Sequence, residues 1–165
     1  VAHQIRNRVA SAEKHFFDWL VIPIASVQDL IENRFSRFIN RRFLVPTYDG
    51  DKIVQVLNKR YNVVLYHDFH NAEEFSGDNF SQVKNKYRYL GGKFLSLLND
   101  DAPVCFIRRW HSIDGHAQDH ESSYKLFKFL EMRAKGKVYF VYLHHDSGRP
   151  LRIDGCYMSR TYAGK

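Results

Sequence analysis

The residues best equipped for chemistry lie in Val63-Val64-Leu65-Tyr66-His67-Asp68-Phe69-His70, where a β-branched and aromatic run breaks into an imidazole, a carboxylate and a second imidazole. Titratable side chains placed where a strand leaves the core are held rigidly and face a loop that admits a substrate. An unperturbed imidazole titrates near pH 6.5, so His67 needs little tuning to act as a general base at neutral pH. Asp68 is its nearest carboxylate in sequence. On a continuing strand consecutive side chains point to opposite faces, so Asp68 orients His67 only where the strand ends between them. Asp114 and Asp146 are equal candidates for the acid. A hydrogen-bonded structural histidine is the competing reading.

Two further polar clusters follow apolar runs. Arg108-Arg109-Trp110-His111 comes directly after Val104-Cys105-Phe106-Ile107. Guanidiniums there can clamp a phosphate, sulfate or carboxylate bidentately, with Trp110 as a stacking wall. An ion pair with Asp114 or Asp119 is the structural alternative. His144-His145-Asp146 follows Val138–Leu143. Joined by His67 or His70 it would supply metal ligands in number, but adjacent histidines seldom chelate one ion, and no His-x-x-x-His helix motif is expected. No metal and no cofactor is expected. There is no Gly-x-Ser-x-Gly elbow and no Gly-x-x-x-x-Gly-Lys phosphate loop. Of the two cysteines, Cys105 sits in an apolar run and reads as buried and inert, and Cys156 falls on a late strand.

The elements that must position these groups belong to one domain by length. The chain has 165 residues, 44% of them hydrophobic, with 13 Phe and 10 Tyr, which is enough for a proper core and argues against disorder. No apolar run approaches the 18 or so residues of a membrane span. A net charge of +7 suits an anionic substrate or partner. The basic residues are scattered along the chain, however, and no RNA-binding or metal-finger signature occurs, so nucleic acid is disfavoured. Two cysteines and no signal peptide suggest a reducing, cytoplasmic setting. Val1–Arg8 reads as a helix already under way, as in a chain truncated at its N-terminus.

Apolar spacing then predicts the elements. The aromatic cluster His15–Leu20 contains Asp18, read as a structural acid that accepts backbone N–H bonds. Pro23 interrupts. Ser26 caps a helix with the stripe Val27, Leu30, Ile31, Phe35 and Phe38. Pro46 and Gly50 mark a loop. Ile53–Leu57 and Val63–His67 form a β-hairpin turning through Asn58–Asn62. Asn71–Asp78 is a polar loop. Phe80–Leu98 is a long helix, with Gly91-Gly92 marking close packing or a bend. Val104–Arg108 and Val138–Leu143 are buried strands joined through a helix that runs from Asp119 or Ser122 to Ala134 and is ended by Gly136. Leu151–Met158 returns as an antiparallel edge. Helix and strand alternate as in a βαβ crossover, so the expected fold is α/β, with a mixed, partly parallel sheet flanked by helices. Were the three apolar strands neighbours, His67–His70, Arg108–His116 and His144–Asp146 would converge at their carboxyl ends.

Phe17-Asp18-Trp19, Leu65-Tyr66-His67-Asp68-Phe69 and Val104-Cys105-Phe106-Ile107-Arg108, in that order, resemble a bacterial family of papain-like cysteine peptidases, over roughly residues 1 to 145. The resemblance implies a papain-like cysteine hydrolase fold and His67 as the base, with Asp68 matching the motif. It also implies a cysteine at a helix start just upstream of Val1, where the positive end of the helix dipole lowers a thiol pKa. This sequence has no cysteine at its start. The expected activity is a peptidase or related thiol-dependent acyl hydrolase or transferase. Its substrate would be a small molecule, peptide or glycan, anionic and held by Arg108, Arg109 and Trp110. The alternative is a non-catalytic module for an anionic ligand such as a sugar phosphate or polysaccharide.

Overall fold

The computed structural model describes residues 14–18, 20–109, 116–144 and 152–158. The expected Val1–Arg8 helix, Trp110, His111, Asp114, His145 and Asp146 lie outside them. The chain forms two compact units, Val1–Phe94 and Leu95–Lys165.

The first unit contains α1 (Ile24–Glu32), a 3-10 turn (Arg41–Phe43), β1 (Leu44–Asp49), β2 (Lys52–Asn58), β3 (Val63–Leu65), α2 (Ala72–Ser76) and most of α3 (Asn79–Leu98). The strands make an antiparallel sheet in the order β1-β2-β3. The α1 stripe is buried as its spacing predicts, although the helix stops at Glu32. Arg34 and Phe35 then take φ of 51° and 58°, a left-handed bend that L side chains adopt at a cost. The bend turns Phe35 and Phe38 into an aromatic core. Phe16 lies 4.3 Å from Phe35 and 4.9 Å from Phe38, and Phe38 lies 4.8 Å from Tyr87 on α3. Asp18 accepts the His15 N–H at 3.0 Å, as a structural acid should.

Ser26 does not cap α1. The helix begins at Ile24 after Pro23, whose carbonyl accepts from Ser26 N and Val27 N. Proline's fixed φ sets up the first turn without a side-chain cap. Pro46 lies in a strand, not a loop. β1 is an edge, Pro46 pairs with Val56, and an edge strand tolerates a missing donor. The hairpin is as expected, but β3 ends at Leu65 and so stops two residues short of His67. Its turn is organised by the buried Asn58, which donates to Phe38 O at 2.7 Å and accepts from Arg60 N and Tyr61 N at 3.0 and 3.3 Å. The polar stretch after His70 contains α2, capped by Asn71, whose side chain accepts from Glu74 N. In α3, a Cβ on Gly91 would lie 2.8 Å from Phe35 Cβ, so close packing explains this glycine.

In the second unit β4 (Val104–Arg109), α4 (His116–Arg133), β5 (Val138–His144) and β6 (Arg152–Met158) form a mixed sheet in the order β4-β5-β6. β4 and β5 are parallel across the α4 crossover, and β6 runs antiparallel to β5. Val104, Val138, Phe140 and Tyr142 are buried on one face, with Leu126, Phe127 and Leu130 of α4 also buried. Alternate residues fall on the other face, where Cys105 and Ile107 are exposed. Cys105 is therefore not the buried thiol its apolar run suggests, because only one side of the strand is covered.

The fold is α/β, with two small sheets, one of them mixed. The predicted single convergence of three strand ends does not occur within one sheet. His67 follows β3 of the antiparallel sheet, whereas Arg108 and His144 belong to strands of the mixed one. Among the described residues no helix is long and apolar enough to cross a membrane.

Candidate functional site

The stretch from Tyr66 to His70 is a turn pinned at both ends. On one side lies the buried Leu65 of β3. On the other, Ile53 N donates to His70 O at 2.8 Å, and Lys52 bridges to Asn71. Glu74 reaches back from α2 and accepts the His70 N–H at 2.8 Å. Phe69 anchors the middle. It is buried, with its ring 5.1 Å from Phe75 and 5.9 Å from Phe80. Because β3 ends before both His67 and Asp68, strand alternation no longer dictates their directions. His67 is exposed, and among the described residues its ring has no hydrogen-bond partner.

Asp68 turns inward. Its side chain is 6% exposed, and each carboxylate oxygen has its own donor on α3: Lys86 Nζ lies 2.5 Å from Oδ1 and the Tyr87 hydroxyl 2.8 Å from Oδ2. A buried carboxylate needs such partners, since an unpaired one loses its hydration without compensation. Burial above all, then the Asp68 charge and the hydrogen bond to it, push the Tyr87 hydroxyl far above the usual tyrosine range. Tyr87 thus stays a hydrogen-bond donor at neutral pH. The Asp68 carboxylate is engaged by α3.

This turn forms one wall of an open cleft of ≈ 520 Å³, with His67, Asp68, His70 and Glu74 on one side. The other wall is α3, which presents Asn79, Gln82, Val83 and Lys86 at helical spacing i, i+3, i+4 and i+7. The lining holds two carboxylates and one ammonium, so it is not a focus of positive charge. It offers two exposed imidazoles, His67 and His70, beside space for a substrate, which is the geometry a proton-transfer step needs. Among the described residues no group of three or more His, Cys, Asp or Glu is placed to hold a metal ion.

The other predicted groups belong to the second unit. Arg108 is half-buried and pairs in register with Tyr142, on the side of β4 that carries Val104. β4 continues through Arg109, so the two arginines are consecutive residues of a strand rather than members of a loop. Trp110 lies outside the described residues. The Cys105 thiol is raised above its ordinary pKa, by partial burial first and by Cys156 second, which keeps it protonated and weakly nucleophilic at neutral pH.

Sequence reading missed Lys86, Tyr87 and Glu74. Tyr87 was legible only as a core position of the apolar α3 stripe, and nothing in spacing announces a bond to a residue 19 positions away. The amide and ammonium groups at 79, 82 and 86 do recur with helical period and could have been read as a second, polar stripe. The expectation that no His-x-x-x-His helix motif occurs is corrected by His116-Ala117-Gln118-Asp119-His120, two histidines four apart at the start of α4.

A model of the family described as putative papain-like cysteine peptidase matches residues 1–147. Neither a curated protein nor a solved structure matches the chain.

Proposed function

We propose that this chain, which belongs to the family described as putative papain-like cysteine peptidase, carries the base of a thiol-dependent acyl hydrolase or transferase, and that the base is His67. The observation that carries this reading is the exposed His67 ring, standing on a doubly pinned turn at the edge of an open cleft.

In the reaction, imidazole takes the proton of a cysteine thiol and the thiolate attacks an acyl carbon, forming a C–S bond. The imidazolium returns its proton to the leaving group as the old acyl bond breaks. Water, or an acceptor hydroxyl or amine, then gives its proton to the imidazole and displaces the thiol, so the enzyme is regenerated without cofactor. In this reading the nucleophile is a cysteine preceding Val1, as the resemblance implies. Cys105 is a poor substitute, because its raised pKa leaves little thiolate. Arg108, with Arg109 and Trp110, is assigned the anionic portion of the substrate. That assignment rests on charge and hydrogen-bonding capacity alone.

The test is His67→Ala in the complete polypeptide, read by the pH dependence of iodoacetamide alkylation and by acyl-thioester formation in mass spectrometry. Loss of the imidazole returns the nucleophile to the free-thiol range near pH 8.5, so alkylation at pH 6.5 falls by about tenfold or more. Unchanged alkylation together with an unchanged yield of acyl-enzyme refutes the assignment.

A further inference from the structure

We propose that Lys86 and Tyr87 are positioning residues for His67, acting through Asp68, and that Asp68 serves as their anchor rather than as the acid partner of the imidazole. The proposal rests on the reading of His67 as the base. Between Leu65 and His70 the chain has two side chains directed inward, Asp68 and Phe69. Phe69 fixes the turn by apolar packing, which is non-directional. Asp68 fixes it directionally. Two donors from consecutive residues of one helix, each on a different carboxylate oxygen, set both the place and the plane of the carboxylate. His67 is covalently next to it, and among the described residues its ring has no hydrogen-bond partner and only the ring of its other chain neighbour, the exposed Tyr66, at 6.3 Å, so its orientation over the cleft follows that of Asp68.

The same contacts argue against an acid role. For Asp68 to orient the imidazole it would have to release Lys86 or Tyr87. Releasing Tyr87 would strand a hydroxyl that is buried and cannot ionise in compensation. Lys86, half exposed, balances the Asp68 charge at 2.5 Å, so His67 sees a neutralised pair.

A rescue experiment separates the two roles. In the complete polypeptide, Asp68→Asn leaves Lys86 uncompensated beside His67. The double variant Asp68→Asn with Lys86→Met restores neutrality and keeps an acceptor for Tyr87. The readouts are iodoacetamide alkylation at pH 6.5 and the NMR titration of His67, with His70 as internal control. A positioning role predicts that Asp68→Asn lowers the His67 midpoint, and that the double variant recovers it and brings alkylation to within about threefold of wild type. Tyr87→Phe, which removes one oxygen, is expected to slow alkylation about tenfold, as misplacement of a reacting group by a fraction of an ångström does, with the His70 midpoint unmoved. A double variant as impaired as Asp68→Asn alone overturns the proposal, because an acid partner cannot be rescued by removing its counter-ion. Tyr87→Phe matching wild type in both readouts also overturns it. If His67→Ala leaves alkylation intact, the base assignment fails instead, and the His67 titrations still report whether Asp68 positions the ring.

Discussion

Replacing Gly91 and, separately, its neighbour Gly92 with alanine should move stability in opposite directions. Both lie in α3, where Ala is favoured over Gly by about 1 kcal/mol per residue. At Gly92 an added Cβ meets nothing within 4 Å, so Gly92→Ala should realise most of that gain. At Gly91 the Cβ would come within 2.8 Å of Phe35 Cβ and 2.9 Å of Phe35 Cγ. Phe35 cannot simply retreat. It is buried, its backbone is held at φ 58°, and its ring lies 4.3 Å from Phe16 and 5.6 Å from Phe94. Over-packing a core costs about 1–3 kcal/mol, which exceeds the propensity gain. Gly91→Ala is therefore expected to be destabilising by roughly 1–2 kcal/mol, and the adjacent variants to differ by about 2–3 kcal/mol. Urea unfolding followed by circular dichroism measures this as opposite shifts of midpoint at constant slope. A Gly91→Ala protein as stable as Gly92→Ala would refute the placement of α3 against Phe35, and with it the seating of Lys86 and Tyr87 one turn earlier in the helix.

The alkaline limb of stability should carry a Tyr87 signature. Its hydroxyl is raised in the folded state, so the unfolded chain loses that proton first, near pH 10. The associated stability is complete below that pH and declines above it by about 1.4 kcal/mol per pH unit. Urea titrations at pH 9 and 11 should show this component in wild type and lack it in Tyr87→Phe. Asn58→Ala strands Phe38 O and the N–H groups of Arg60 and Tyr61. A loss of about 3 kcal/mol in urea unfolding is expected, and a loss under about 1 kcal/mol would show that water replaces the bonds. On the proposed reading, Cys105→Ser should leave acyl-thioester yield unchanged, because the raised pKa of its thiol leaves little thiolate. Gly136→Ala should cripple folding, since a Cβ there would sit 2.2 Å from the Ala102 carbonyl oxygen, which is backbone. Soluble expression at wild-type yield and melting temperature would contradict that close approach.

What was legible in the sequence is what local patterning controls. Three- and four-residue spacing located α1 and α3, and β-branched runs located β2, β3, β4 and β5. The helix between two apolar runs announced the parallel pair β4–β5. Errors came where a tertiary neighbour overrides a local rule. Pro46 reads as a breaker until β1 is known to be an edge strand. Cys105 reads as buried until only one face of its strand proves covered. Ser26 reads as a cap, but Pro23 had already begun the helix.

The candidate site divides in the same way. His67 was identifiable because a polar triplet interrupting an apolar run is a local event. The role of Asp68 was not, because adjacency in sequence and partnership in space are different relations. Adjacency pairs Asp68 with His67. The fold pairs it with Lys86 and Tyr87, 18 and 19 residues away. The physical ground is desolvation. Once Phe69 is drawn into the core beside Phe75 and Phe80, its neighbour Asp68 follows it out of water, and a carboxylate out of water must find donors where it stands. Helix α3 buries Tyr87 and Leu90, and its residues 86 and 87 are the donors that reach Asp68. His67, on the solvent side of the same turn, is exposed and needs no internal donor.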